Sequence, residues 1–119
     1  MLVVFGAAGT LARYGLQGLV QEHTGMGFPT GTLSVNLAGC FLFGAVAQLG
    51  LSRAALPPDW RIALTVGFLG AFTTFSTFGY ETLRMLEEAE WLRATEYVGA
   101  SLLGGLLLMS AGAWLADKL

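Results

Sequence analysis

The chain has 119 residues, 55% of them hydrophobic and 12% charged, about half the charge share of an ordinary soluble domain. Six Lys and Arg residues, a net charge of −2, one His and one Cys leave no basic patch for nucleic acid, no internal disulfide and no side-chain zinc site. Such a composition belongs in a lipid bilayer.

Met1-Leu2-Val3-Val4-Phe5-Gly6 has no positive charge ahead of its apolar run and no cleavage signature, so it reads as a retained first span over residues 2–20. Arg13 falls inside it. Residues 21–27 are polar and Gly-rich, and Pro29 stands where a second helix begins. The second span covers 30–51, with Thr32, Asn36, Gly39 and Phe43 at i, i+4, i+7 and i+11 on one face. An unpaired Asn36 amide would cost several kcal/mol in hydrocarbon, so Asn36 either ties helices together or serves function. Residues 52–60 carry a Pro pair, with Asp59 as a candidate N-cap and Trp60 at interface depth.

The third span, 61–83, contains Gly67-Phe68-Leu69-Gly70-Ala71-Phe72-Thr73-Thr74-Phe75-Ser76-Thr77-Phe78-Gly79-Tyr80-Glu81. Gly and β-branched Thr lower helix propensity, so a helix break is expected at mid-membrane. Freed carbonyls there suit a hard cation, and the amide end of the next half-helix suits an anion. Phe75 and Phe78 share a face; their electropositive ring edges could attract a dehydrated anion, although packing alone also explains two Phe at this spacing. The charged residues 87–93 precede a fourth span over 94–116, where Tyr97 and Ser101 lie one turn apart. Ser101 could instead bond its own helix.

Each span is near the ~20 residues that cross a bilayer as a helix, and alternation typical of a barrel is absent. The chain thus reads as an all-α, multi-pass membrane protein, one four-helix transmembrane domain over 1–119. Loop charge is nearly balanced: Arg53, Arg61 and Lys118 on one side, Arg84 and Arg93 on the other. Either other cues set orientation, or the chain inserts both ways and pairs as an antiparallel dimer. Glycines along the spans, including Gly9, Gly15, Gly18, Gly39, Gly44, Gly99, Gly105 and Gly112, would allow close helix approach.

The run from Gly70 to Phe78 with Glu81 following closely resembles the signature of the CrcB/Fluc fluoride channels, as does Pro29-Thr30-Gly31-Thr32-Leu33-Ser34-Val35-Asn36-Leu37-Ala38-Gly39. Gly9 with Arg13-Tyr14 is a shorter match. The resemblance implies a passive channel in the cell membrane that exports fluoride and lowers its cytoplasmic level. It also implies a dual-topology antiparallel homodimer with two pores and a structural Na⁺ at its centre. By position, backbone carbonyls of Gly70 and Thr73 would hold Na⁺, and Phe75 and Phe78 would line the fluoride path. Asn36 would donate to the ion, Ser101 and Tyr97 would add hydroxyls, and Thr77, Thr82 and Glu81 would form a polar track to the exit. Arg13 would be a buried or vestibule cation in need of a partner. Ala71, Phe5 and Cys40 depart from the family pattern, the last two away from the implied path. The alternative, a small dual-topology proton-coupled efflux transporter, needs a carboxylate deep in the membrane, which the first span lacks. An intramembrane enzyme would need a catalytic constellation that the spans do not contain.

Overall fold

The computed structural model describes residues 1–25, 27–52 and 56–119. The described residues are helical almost throughout: α1 (Leu2–Thr24), α2 (Thr30–Ser52), α3 (Pro58–Ile62), a π-helical stretch (Ala63–Leu69), α4 (Gly70–Phe72), α5 (Phe75–Glu87) and α6 (Trp91–Asp117). Among the described residues, three segments, Thr30–Leu51, Pro58–Glu87 and Trp91–Asp117, are long and apolar enough to cross a membrane. α1 has 23 residues and thus the length of a span, but Arg13, Gln17, Gln21, Glu22 and His23 dilute its apolar character. It runs a turn beyond the expected end at residue 20, where the Thr24 hydroxyl donates to the Val20 carbonyl. Arg53, counted in the loop-charge balance, lies outside the described residues.

The third segment breaks where its composition predicts. Thr73 and Thr74 are both extended, at φ −87°, ψ 156° and φ −147°, ψ 104°. This is a conformation that β-branched residues favour. Thr74 then caps α5: its hydroxyl accepts from the Thr77 N–H at 3.3 Å and donates to the Thr77 hydroxyl at 2.8 Å. The widened stretch before α4 is a feature that residue composition does not announce. Its i→i−5 pattern shows at its end, where the Gly70 N–H reaches Thr65 O. The Thr65 hydroxyl bonds back to Arg61 O at 2.7 Å.

Close backbone contacts hold the helices. α2 and α6 run parallel and press together at Gly44 and Gly112: a methyl on Gly44 would overlap the Met109 carbonyl, and one on Gly112 the Phe41 carbonyl. α1 meets the π-helical stretch at Gly9, against the Phe68 carbonyl. Gly15, Gly18 and Gly99, expected to serve packing, face outward from the chain, and a methyl on any of them would meet nothing within 4 Å. Val35, Leu69 and Phe72 form one buried cluster; Met85, Ala94 and Tyr97, with Phe28, Leu33 and Phe78 against them, form another. Leucines of α6 such as Leu103, Leu106 and Leu107 are exposed, as lipid or a second chain requires. At the C-terminus the Lys118 ammonium lies 4.6 Å from the Trp114 ring centre, an interfacial arrangement.

Candidate functional site

The break is built jointly by three helices. Asn36 of α2 faces it with both ends of its amide: the Thr74 N–H donates to Asn36 Oδ1 at 2.8 Å, and Asn36 Nδ2 donates to Thr74 O at 3.2 Å. The side chain thereby supplies the hydrogen bonds that an unbroken helix would supply to that peptide. An amide nitrogen carries two hydrogens, so this clasp leaves one over. Because the Thr74 N–H is committed to Asn36, the Gly70 carbonyl loses its usual partner four residues on. Gly70 itself is exposed. Arg13 of α1 supplies the third support. Its Nε donates to Ala71 O at 3.0 Å, which places a cation at the carbonyl end of α4, where a helix dipole favours it. That carbonyl is the partner that the sequence left unnamed. Among the described residues, Arg13 has no carboxylate within ion-pair distance.

Beside the break lies a cavity of about 250 Å³ lined by Asn36, Thr73, Phe75, Phe78 and Ser101 together with apolar side chains. The Phe75 and Phe78 ring centres are 5.7 Å apart, and Phe75 is 79% exposed, facing outward from the chain. Ser101 Oγ is buried with no hydrogen-bond partner. It therefore does not bond its own helix, and its hydroxyl is left for whatever enters the cavity. Cys40 also lines this wall, whereas the sequence reading set it away from the implied path. It follows Asn36 by one helical turn, so it shares that face. Phe5, in contrast, packs edge-on against Trp60 at 5.8 Å.

Glu81 opens onto a second cavity, about 460 Å³, which Gln17, Gln21, Arg84, Glu88 and Glu90 also border. Between the two cavities stands Tyr97, with 0% of its surface exposed. Its ring lies 5.1 Å from Phe78 and 5.6 Å from Phe28, and its hydroxyl donates to Glu81 Oε1 at 2.8 Å. Thr77 and Thr82 line neither cavity. The Thr77 hydroxyl is engaged by Thr74, and that of Thr82 donates to Phe78 O at 2.8 Å. Two residues at this level are paired in a way that the sequence reading did not foresee. Gln17 Nε2 donates to Thr32 Oγ1 at 2.9 Å, a pairing of α1 with α2 that no local pattern signals.

Residues 1–113 match the family model described as CrcB-like protein, Camphor Resistance (CrcB). Among similar curated proteins, one from Nitratidesulfovibrio vulgaris (strain DSM 19637 / Miyazaki F) is 49% identical over 112 residues, covering 94% of this chain and 90% of its own. One from Geobacter metallireducens (strain ATCC 53774 / DSM 7210 / GS-15) is 51% identical over 102 residues, covering 86% and 82%. A third, from Geotalea uraniireducens (strain Rf4), is 46% identical over 118 residues, covering 99% and 95%. Each of the three is named fluoride-specific ion channel FluC.

Proposed function

The chain belongs to the CrcB-like family, and from that premise we propose that it is a multi-pass membrane channel that passes fluoride and is not an enzyme. The observation that carries the reading is the cavity beside the helix break. It offers an unpartnered hydroxyl from Ser101, a spare amide hydrogen on Asn36 and two phenyl rings, but no carboxylate. An anion entering it meets donors and positive ring edges without a full positive charge that would trap it. A proton-coupled transporter would need a carboxylate in that cavity, so the channel reading is preferred.

Within this reading, fluoride leaves the central cavity past Phe75 and Phe78 and exits by way of Glu81, with Tyr97, Thr77 and Thr82 along the polar track. Passage is passive and lowers cytoplasmic fluoride. The functional unit is an antiparallel homodimer with dual topology. The outward-facing Phe75, the exposed Gly70 and the open glycines Gly15 and Gly18 support it, because a second chain would give them neighbours. Na⁺ fits the break at the centre of that dimer. The carbonyls of Gly70 and Thr73 are hard oxygen donors freed from helical bonding, and they would hold the ion, which would supply fixed positive charge and tie the chains together. α1 crosses the membrane as well, which brings the spans to four.

Proteoliposomes loaded with potassium fluoride test the proposal. With valinomycin present, fluoride should escape while a matched chloride load stays inside. Equal chloride release would refute selectivity, and no fluoride release would refute the channel.

A further inference from the structure

The mouth beside Glu81 carries charge, unlike the cavity beside the break. Glu81, Glu88 and Glu90 border it, and Arg84 is the cation among the described residues that do. Each carboxylate has its own donor. Glu81 accepts from the Tyr97 hydroxyl at 2.8 Å, a neutral donor that leaves its charge uncancelled. Glu90 lies 3.6 Å from Arg93 Nη1; Arg93 does not border the mouth and also donates to Gly27 O at 2.7 Å. Arg84 Nη2 donates to Glu88 Oε1 at 3.2 Å, and its Nη1 lies 3.9 Å from Glu87 Oε1. With Glu90 offset by Arg93, Arg84 stands alone against Glu81 and Glu88, so the border keeps an excess of negative charge. An anion approaches against repulsion, and Arg84 is the group that reduces it.

The placement of Arg84 suits that task. It follows Glu81 by three residues and precedes Glu88 by four, which sets the three on one face of the chain as it leaves the membrane. Its side chain is 55% exposed and that of Glu88 54%. An ion pair between flexible side chains in water is weak, so Glu88 steers the guanidinium without locking it. The planar fork can turn from Glu88 to a passing anion and back, because the exchange trades one weak partner for another. Standing at the opening, it adds no fixed charge to the cavity beside the break, where such a charge would hold the ion.

We propose that Arg84 gathers fluoride at this mouth: its charge raises the local concentration of the anion at an opening that the carboxylates would otherwise keep poor in it, and Glu88 sets how much of that charge is offered. This rests on the channel reading.

Fluoride efflux from proteoliposomes tests it at two ionic strengths, about 0.01 M and about 1 M, set on both sides with potassium sulfate; charges then act over about 30 Å and about 3 Å. At the lower value Arg84→Gln should cut efflux about threefold and Arg84→Glu about tenfold, since the second doubles the change in charge. Arg84→Lys should conduct like the unchanged protein, and Glu88→Gln should raise efflux about threefold. At the higher value all four should conduct alike. The rise in Glu88→Gln separates gathering from a structural role, because losing an ion pair that served only the fold could not increase flux. Unchanged efflux in Arg84→Gln at low ionic strength, a loss that persists undiminished at high ionic strength, or a fall in Glu88→Gln would each overturn the proposal. Absence of fluoride efflux from the unchanged protein would instead refute the channel reading beneath it.

Discussion

Ser101 and Asn36 both face the central cavity, but their hydrogen bonding separates what each contributes. Ser101 Oγ has no hydrogen-bond partner among the described residues, so Ser101→Ala breaks none of their bonds, and its melting temperature should equal that of the unchanged chain. If the hydroxyl serves the ion, efflux should nonetheless fall about tenfold, the worth of one hydrogen bond to a charged group. Normal efflux would remove Ser101 from the path. Asn36 has two tasks, since its clasp on Thr74 also closes the break. Asn36→Asp keeps the acceptor but loses the donor and adds a negative charge beside the Thr74 carbonyl. Both efflux and stability should drop, the latter by about 1–3 kcal/mol, as seen in denaturant or heat midpoints. Asn36 could be singled out from sequence because an amide at bilayer depth is costly wherever it points. Gln17 could not, because α1 is polar enough there for it to pass as a residue near a span end. Its bond to Thr32 depends on the close approach of the two helices at Gly31, where a methyl would overlap the Gln17 carbonyl, a tertiary fact.

At the scale of elements, the broken third segment was readable because its cause is local. Glycines and threonines disfavour continuous helix, and Thr74 with Thr77 makes its own cap. The π-helical stretch before it was not readable, since Ala63-Leu64-Thr65-Val66-Gly67-Phe68-Leu69 would also suit an ordinary helix. There the register follows from packing against α1 at Gly9 and Phe68. Glycine roles divide in the same way: seventeen glycines mark a close-packed membrane chain, but only contacts show which are irreplaceable. Gly44→Ala would drive a methyl into the Met109 backbone, where neither helix can yield without parting. Its cost should be about 1–3 kcal/mol, whereas Gly99→Ala, with nothing within 4 Å, should leave stability unchanged or slightly raised. Gly39→Ala tests the break itself, because its methyl would meet Thr73 Cγ2. Efflux in that variant should fall even where the protein still folds, and Na⁺ dependence of dimer stability should weaken with it. Comparable midpoints for Gly44→Ala and Gly99→Ala would show that the α2–α6 contact yields more easily than its geometry implies.

For the whole molecule, the sparse charge has consequences in two places. In the interior it leaves the cavity to be formed by amide, hydroxyl and phenyl groups. At the membrane surfaces it leaves orientation open. The strongest signal for insertion is the difference in Lys and Arg between the two sides. Here that difference is small: Arg53, Arg61 and Lys118 at one end stand against Arg84 and Arg93 at the other. An antiparallel dimer needs both orientations in one membrane, so near-balance is a requirement of the proposed assembly. Biasing the charge should therefore abolish function without touching the cavity. Glu22→Lys with Glu87→Lys, both at exposed positions on the side of the α1–α2 and α5–α6 turns, should fix that side in the cytoplasm. Asp59→Lys with Leu119→Lys, on the opposite side, should fix the reverse. Each double variant expressed alone should reach the membrane but fail to protect cells from fluoride. Expressed together, they should protect as well as the unchanged chain, since each supplies the orientation that the other lacks. Protection by either variant alone, with its single orientation verified by accessibility labelling, would show that parallel or monomeric chains conduct and would defeat the antiparallel assembly.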